Sequence, residues 1–355
     1  RLLSSRTVAS MQVVYLTDIH DNFAGVSTVL NNTSADLYVI SGDLTYHAFG
    51  SDDQALFRFI ELQEKIRMLA GQNPDADETL HLAERAQGGL TTETLSQSGE
   101  PALSAAEGSE YLRLAAQAQQ ELLRKYQTLN KAIAPTGKKV IMIPGNYDLP
   151  LSGTAVANYS IHESTLTLEG IKFAGYGSAP VFTPGIPEEL AAPFEESGNG
   201  AKLVSKPRDF MLRERADVFV LHNPAYGTLD KLPRFGHFGS HGLREAVDEV
   251  APRLVLSGHV HEHFGLLKLG QTYFLNPSNF GSVETIEGHQ PGGYFARFTL
   301  QTDGDGQKFL REVVWSRLVD GHVREICAVK IDKKQRATET ITEAAEYAAM
   351  GKFLL

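Results

Sequence analysis

Five short clusters in this sequence hold residue types that bind metal ions. They are Asp18-Ile19-His20-Asp21-Asn22, Gly42-Asp43, Gly145-Asn146-Tyr147-Asp148, His222-Asn223 and Gly258-His259-Val260-His261. Imidazole and carboxylate ligands together suit zinc, iron, manganese or nickel. Asp18 and His20 are two residues apart, as are His259 and His261. In extended chain such residues point to the same side, so each pair can approach a site from one direction. Asp43 has a carboxylate oxygen for each of two metals and can bridge them. Asn146 offers a neutral carbonyl oxygen and His222 an imidazole. Gly42, Gly145 and Gly258 stand immediately before ligands, where glycine permits tight turns and close backbone approach. Each fragment alone is a weak sign, because short motifs recur by accident. The ordered set is a stronger one, and a closed structural zinc site does not call for this many ligands.

The elements that must position these clusters are short apolar runs. Gln12–Leu16, Asp36–Ile40, Lys139–Ile143, Asp217–Leu221 and Arg253–Leu256 each lead into one cluster within a residue or two. Nearly continuous apolar runs suit strands buried on both faces. Helical patterns between several of them, such as Gly242–Val250, make the chain α/β. In open α/β sheets, ligands bind beyond the carboxyl ends of the strands. Leu166–Glu169 with Ile171–Tyr176, and Leu266–Leu269 with Gln271–Leu275, read as hairpins around Gly170 and Gly270. Tyr294–Leu300 and Glu312–Trp315 add antiparallel strands, so the sheets are expected to be mixed.

One stretch breaks the rhythm. Ala55–Leu69 and Tyr111–Ala134 have helical spacing and good helix formers. Between them a polar stretch holds one short helix around Asp77–Gln87. The expected organisation is a discontinuous core over residues 11–51 and 136–320, a helical insertion over 52–135 that decorates the core or caps its substrate, and a C-terminal extension over 321–355. Thr183–Pro207, rich in proline and glycine, reads as a long surface loop.

Composition bounds the function. The 355 residues are 42% hydrophobic, enough for one large domain or two ordinary ones. Lys plus Arg is 33 against 43 for Asp plus Glu, a formal net charge of −10. That balance argues against a nucleic-acid partner, because non-specific affinity comes from neutralising phosphates. It leaves a phosphate substrate open, since bound cations supply local positive charge. The lone Cys327 excludes an intrachain disulfide. No apolar stretch reaches the length of a membrane-spanning helix. Arg1–Ser10 has the composition of a targeting remnant, but cleavage after the apolar run Val13–Leu16 would cut into Asp18-Ile19-His20, and Met11 can serve as the start. The expectation is a cytoplasmic protein without membrane partners, of open oligomeric state. There is no P-loop, no complete dinucleotide fingerprint and no serine-hydrolase elbow.

In this order, D-x-H, G-D, G-N-x-D, H and G-H-x-H, the pattern resembles the calcineurin-like metallophosphoesterase superfamily. The resemblance runs from about Val13 to Gly281, outside the helical insertion. His222-Asn223-Pro224-Ala225-Tyr226-Gly227, followed by Gly239-Ser240 and Gly258-His259-Val260-His261-Glu262, is similar to the compact prokaryotic branch. The resemblance implies a four-layer α-β-β-α sandwich. It also implies that Asp18, His20, Asp43 and His261 hold one metal, and Asp43, Asn146, His222 and His259 the other. Two divalent ions are expected, manganese before iron or zinc. Two-metal chemistry lowers the pKa of a shared water, and the resulting hydroxide attacks phosphorus in line with the leaving oxygen. Asn146 and the metals then neutralise charge on the equatorial oxygens. Asn22 and His237 are further candidates for phosphate contact.

The chain departs from the family at Tyr147, where the usual histidine would protonate the leaving group and Asp148 would orient it. A tyrosine is protonated at neutral pH and can donate, but matches that pH less well. His237, His241 and His263 are alternative donors. The expected activity is hydrolysis of a small phosphodiester, with phosphomonoesters second. The alternative is a protein that keeps the fold as a catalytically weak binding scaffold, as the retromer subunit of the superfamily is thought to do. A nuclease ranks third.

Overall fold

The computed structural model describes residues 9–72, 103–180, 190–198, 200–233, 235–285 and 288–350. The short helix expected around Asp77–Gln87 lies outside them. In chain order the longer strands are β1 (Ala9–Leu16), β2 (Leu37–Ser41), β3 (Val140–Ile143), β4 (Ser164–Leu168), β5 (Ile171–Tyr176), β6 (Val218–Leu221), β7 (Leu254–Leu256), β8 (Gly265–Leu269), β9 (Thr272–Asn276), β10 (Tyr294–Thr302), β11 (Lys308–Val319), β12 (His322–Ile331) and β13 (Ala337–Ile341). The helices are α1 (Phe23–Asn32), α2 (Asp53–Gln72), α3 (Ala105–Ile133), α4 (Lys206–Glu214), α5 (His241–Val250) and α6 (Ala344–Met350).

Two mixed sheets form the core. The first has seven strands in the order β13-β12-β11-β10-β1-β2-β3, and the second six in the order β8-β9-β7-β6-β5-β4. β1, β2 and β3 are mutually parallel, while β10 to β13 join antiparallel. In the second sheet β5, β6, β7 and β9 are parallel, and the expected hairpins β4–β5 and β8–β9 form its edges.

The alternation of side chains explains why the parallel strands read as apolar throughout. Val13, Tyr15, Leu37, Val39, Ile141 and Ile143 turn inward and share one core with Phe173, Val218, Val220, Leu254 and Leu256 of the other sheet. Their neighbours Val14, Leu16, Tyr38 and Ile40 are equally buried on the opposite face. There the Tyr38 hydroxyl donates to the carbonyl of Thr33, which caps α1. On the outer face of the second sheet, Ala174, Phe219, Leu221 and Phe274 pack with Phe210 and Met211 of α4 and Leu243, Ala246 and Val247 of α5. The result is the expected four layers, helix, sheet, sheet, helix. Fully burying each Val, Leu or Phe favours it by about 1.5–3 kcal/mol.

The boundary expected at Asp320 falls inside the first sheet. Asp320-Gly321 is the turn between β11 and β12, with φ of 50° and 78°, and Val319 pairs with His322 across it. Residues 322–341 therefore continue the core sheet instead of extending beyond it. Within Thr183–Pro207, expected as loop, Glu196–Ser197 and Val204–Ser205 pair as a short ribbon.

Residues 47–126 and 181–191 group as a second compact unit. Among its described residues, α2 and α3 face each other through Phe59 stacked on Tyr111, with ring centroids 5.2 Å apart. Arg58 pairs with Glu110, and Lys65 with Glu107. Ser104 and Glu107 bond reciprocally through side chain and backbone, a capping box that starts α3.

Candidate metal centre

Each cluster follows the carboxyl end of a parallel strand: Asp18 after β1, Asp43 after β2, Asn146 after β3, His222 after β6 and His259 after β7. The strand ends are bonded to one another. The Tyr15 hydroxyl donates to the carbonyl of Ser257 at 2.7 Å and receives from Ser41 Oγ at 2.6 Å. Asp18 N donates to Gly42 O at 3.1 Å, His20 N to Asp43 O at 2.8 Å, and His259 N to Asp18 Oδ2 at 3.1 Å.

These loops hold four candidate ligands in a left-handed backbone that side chains disfavour. The φ angles are 53° at Asp18, 42° at His20, 44° at Asp43 and 65° at His259. Such residues cost about 1–3 kcal/mol each and gather at functional sites. Gly258 and Gly145 are required here. A Cβ at Gly258 would overlap Thr17 Oγ1 and Asp18 Oδ2, and one at Gly145 would overlap the Asp43 backbone nitrogen and Oδ1.

Six side chains form two groups of three, Asp18 with His20 and His261, and Asp43 with His222 and His259; in each, one ligand atom per residue lies within 4.8 Å of the others. His20 Nε2 faces His261 Nε2 at 3.3 Å, and His261 Nε2 lies 3.0 Å from Asp18 Oδ1. In the second group His222 Nε2 lies 3.0 Å from Asn146 Oδ1 and 3.4 Å from Asp43 Oδ1. The other ring nitrogen of His222 is 2.8 Å from the Ser41 carbonyl, which only accepts, so Nδ1 carries a proton. That leaves Nε2 turned toward two oxygen acceptors. Without a cation there, a second proton must occupy Nε2. The donor set therefore fits a metal ion in each group, with Ser41 fixing the tautomer of His222.

The electrostatics agree. Burial pushes the Asp18 carboxyl up, but His261, His222 and His20 together hold it well below its ordinary value. Asp43 is likewise lowered, by His222 against its burial. Burial pushes His20 and His259 down to about 4, so both present neutral imidazoles. For His222 burial is outweighed by Asp43, which pushes the imidazole up to about 9. His261 is raised in the same way by Asp18.

Other expected site residues fall differently. Asp148 is fully buried, and its carboxylate accepts from the backbone of Leu44, Thr45 and Gly145 at 2.7–3.1 Å. These bonds tie the Asp43 loop to the Asn146 loop and make Asp148 a positioning residue. Asn22 caps α1: its amide accepts from Gly25 N and donates to Phe280 O, so both ends have structural partners. His237 pairs with Asp230 at 2.6 Å, His241 stacks on Tyr226, and His263 accepts from Lys231 N. None of these three belongs to either ligand group. Tyr147 does stand at the site: its N–H donates to Asp43 Oδ1 and its ring lies 5.9 Å from that of His20. Tyr46, which the sequence reading passed over, lies 4.9 Å from His20 on the same side as Tyr147, the two tyrosine rings being 5.4 Å apart. Thr17, also passed over, donates to Asp18 Oδ2 at 2.7 Å.

Residues 102–285 match the family described as metallophosphoesterase, calcineurin superfamily. The chain belongs to that superfamily. The matched stretch contains Asn146, His222, His259 and His261 of this metallophosphoesterase, while Asp18, His20 and Asp43 precede it. A UPF0046 protein of Caenorhabditis elegans is 26% identical over 146 residues, 39% of this chain and 44% of the relative, so the chain spans under half of that protein's length. Among solved structures, PhoD has a TM-score of 0.43 at 8% identity, covering 95% of this chain and 73% of its own. Vps29 of Entamoeba histolytica, complexed with zinc, has a TM-score of 0.35 at 11% identity, covering 93% and 99%. Among the described residues of this metallophosphoesterase no helix is long and apolar enough to cross a membrane.

Proposed function

We propose that this metallophosphoesterase hydrolyses phosphodiesters in preference to phosphomonoesters, with two divalent ions bound by Asp18, His20, Asp43, Asn146, His222, His259 and His261, Asp43 bridging them. The observation that carries the reading is the convergence of lone pairs within each ligand group, above all His222 Nε2 turned toward Asp43 Oδ1 and Asn146 Oδ1. Two such ions, with manganese favoured, would supply Lewis-acid polarisation of the phosphoryl group and a nucleophile at neutral pH.

The chain's own groups then divide the work. Asp18 and Asp43 balance the cationic charge while staying ionised. His20 and His259 coordinate without first losing a proton. The Asn146 amide group meets a phosphoryl oxygen and stabilises its developing charge. Tyr147, beside His20, stands in the leaving-group position. Its hydroxyl is a weaker acid than the histidine it replaces, which favours diesters and good leaving groups over unactivated monoesters.

The test is hydrolysis of an aryl phosphodiester and an aryl phosphomonoester by metal-stripped protein, with and without manganese. Manganese-dependent turnover, faster on the diester and lost in His259→Ala, is the expected result. Two tightly bound metals with no turnover of either ester would replace the enzyme by a binding scaffold.

A further inference from the structure

Beside His261 opens a cavity of about 420 Å³, within the usual range for small-molecule sites. Glu262 and Phe264 wall it from the loop that carries His261, Tyr294 from the start of β10, Arg317 from β11, and Ala345 and Glu346 from α6. Of these six only Glu262 belongs to a metallophosphoesterase motif, and no role follows for it there.

Two of the charges in the cavity, Arg317 and Glu346, are paired. Arg317 Nη1 donates to both carboxylate oxygens of Glu346 at 2.9 Å, and its Nε donates to Gly292 O at 3.1 Å. The guanidinium lies 4.8 Å over the Tyr294 ring. Glu262 accepts from Gln290 Nε2 at 3.3 Å, and neutralising that carboxylate would take a cation. With one cation against two carboxylates, the cavity repels a second anionic group. Among its other walls, which include the polar Ser278 and Asn279, Phe264, Tyr294 and Ala345 offer rings and a methyl group to an apolar body.

We propose that this cavity takes one ester arm of the substrate, an uncharged ring-bearing alcohol, and that the Arg317–Glu346 pair excludes acidic arms. The proposal rests on the phosphodiesterase reading, because it places the phosphoryl group at the metal ligands with His261 as the shared wall. It gives α6 the task of completing the substrate site.

Three diesters test it in the manganese-loaded full chain: 4-nitrophenyl phenyl phosphate, 4-nitrophenyl methyl phosphate and 4-nitrophenyl 4-carboxyphenyl phosphate. The phenyl ester should exceed the methyl ester in kcat/KM by about tenfold or more, the scale on which an apolar pocket discriminates. Ala345→Phe, at an exposed helix position, fills the cavity and should abolish that ratio. Glu346→Gln frees Arg317 and should raise the carboxyphenyl-to-phenyl ratio about fivefold. An unchanged phenyl-to-methyl ratio in Ala345→Phe overturns the assignment even if Glu346→Gln merely loosens α6. Failure to turn over any of the three esters sinks the phosphodiesterase reading by itself. The cavity is then read by saturation transfer from metal-free protein to benzyl alcohol: transfer present in the wild type and lost in Ala345→Phe supports it, and transfer absent from both overturns it.

Discussion

The Tyr15 hydroxyl, on β1 of the first sheet, donates to the Ser257 carbonyl just beyond β7 of the second, so it joins the two strands that lead to Asp18 and His259, and His259 N in turn bonds Asp18. Removing that hydroxyl leaves a buried carbonyl and the Ser41 hydroxyl without their partner. Tyr15→Phe should lower stability by about 1–3 kcal/mol, read as the denaturation midpoint of metal-free protein. It should also weaken metal retention against a chelator, because the two ligand groups lose their tie.

Asp43 belongs to the second group, bonded by the Tyr147 N–H and facing His222, and in the proposed centre it is the carboxylate shared by both ions. Asp43→Ala should reduce metal content from two ions per chain to one or none, measured by elemental analysis after dialysis. Retention of two tightly held ions would remove the bridging role from this carboxylate.

Replacing Tyr147 by histidine should restore a proton donor suited to neutral pH. Unactivated monoesters should gain more than aryl diesters, whose leaving groups need little help. The comparison is the ratio of kcat/KM for an alkyl and an aryl ester in each protein. Equal gains would move position 147 away from the leaving oxygen.

Metal uptake should release protons at pH 7. His222, pushed up to about 9 by Asp43 against its burial, is protonated in the metal-free protein and must lose that proton to coordinate. His20 and His259, down at about 4, contribute nothing at that pH. Affinity should therefore rise with pH, by up to about tenfold per unit for this group, and level off above about 9. Calorimetry in buffers of different ionisation enthalpy measures the release. The sign reverses for folding of the metal-free chain: the raised His222 value stabilises it fully below the reference 6.5, and this is lost as pH climbs through about 9.

The convergence of the candidate ligands was legible in the sequence because each cluster follows an apolar strand that announces where it ends. Asp18, Asp43, Asn146, His222 and His259 needed no knowledge of which strand lies beside which. What Asp148 holds was not legible, for the opposite reason. Its partners, Leu44 and Thr45, are a hundred residues earlier, and only the pairing of β2 with β3 brings them together. Tyr46 escaped because it follows a ligand loop and belongs to no spacing pattern. The membership of β12 in the core sheet was legible and passed over: Asp-Gly between two alternating strands is a strong hairpin signal.

β1 lies in the middle of its sheet, with Val13 paired to Leu37 on one side and to Phe298 on the other. The strand that delivers Asp18 is thus made early and completed late. β1 can pair with β2 early, but its second neighbour exists only once residues 294–302 have been made, and contacts this distant in sequence form slowly. Asp18 and His20 likewise wait for His261 to face. The first ligand group therefore cannot be assembled before His261 has been made.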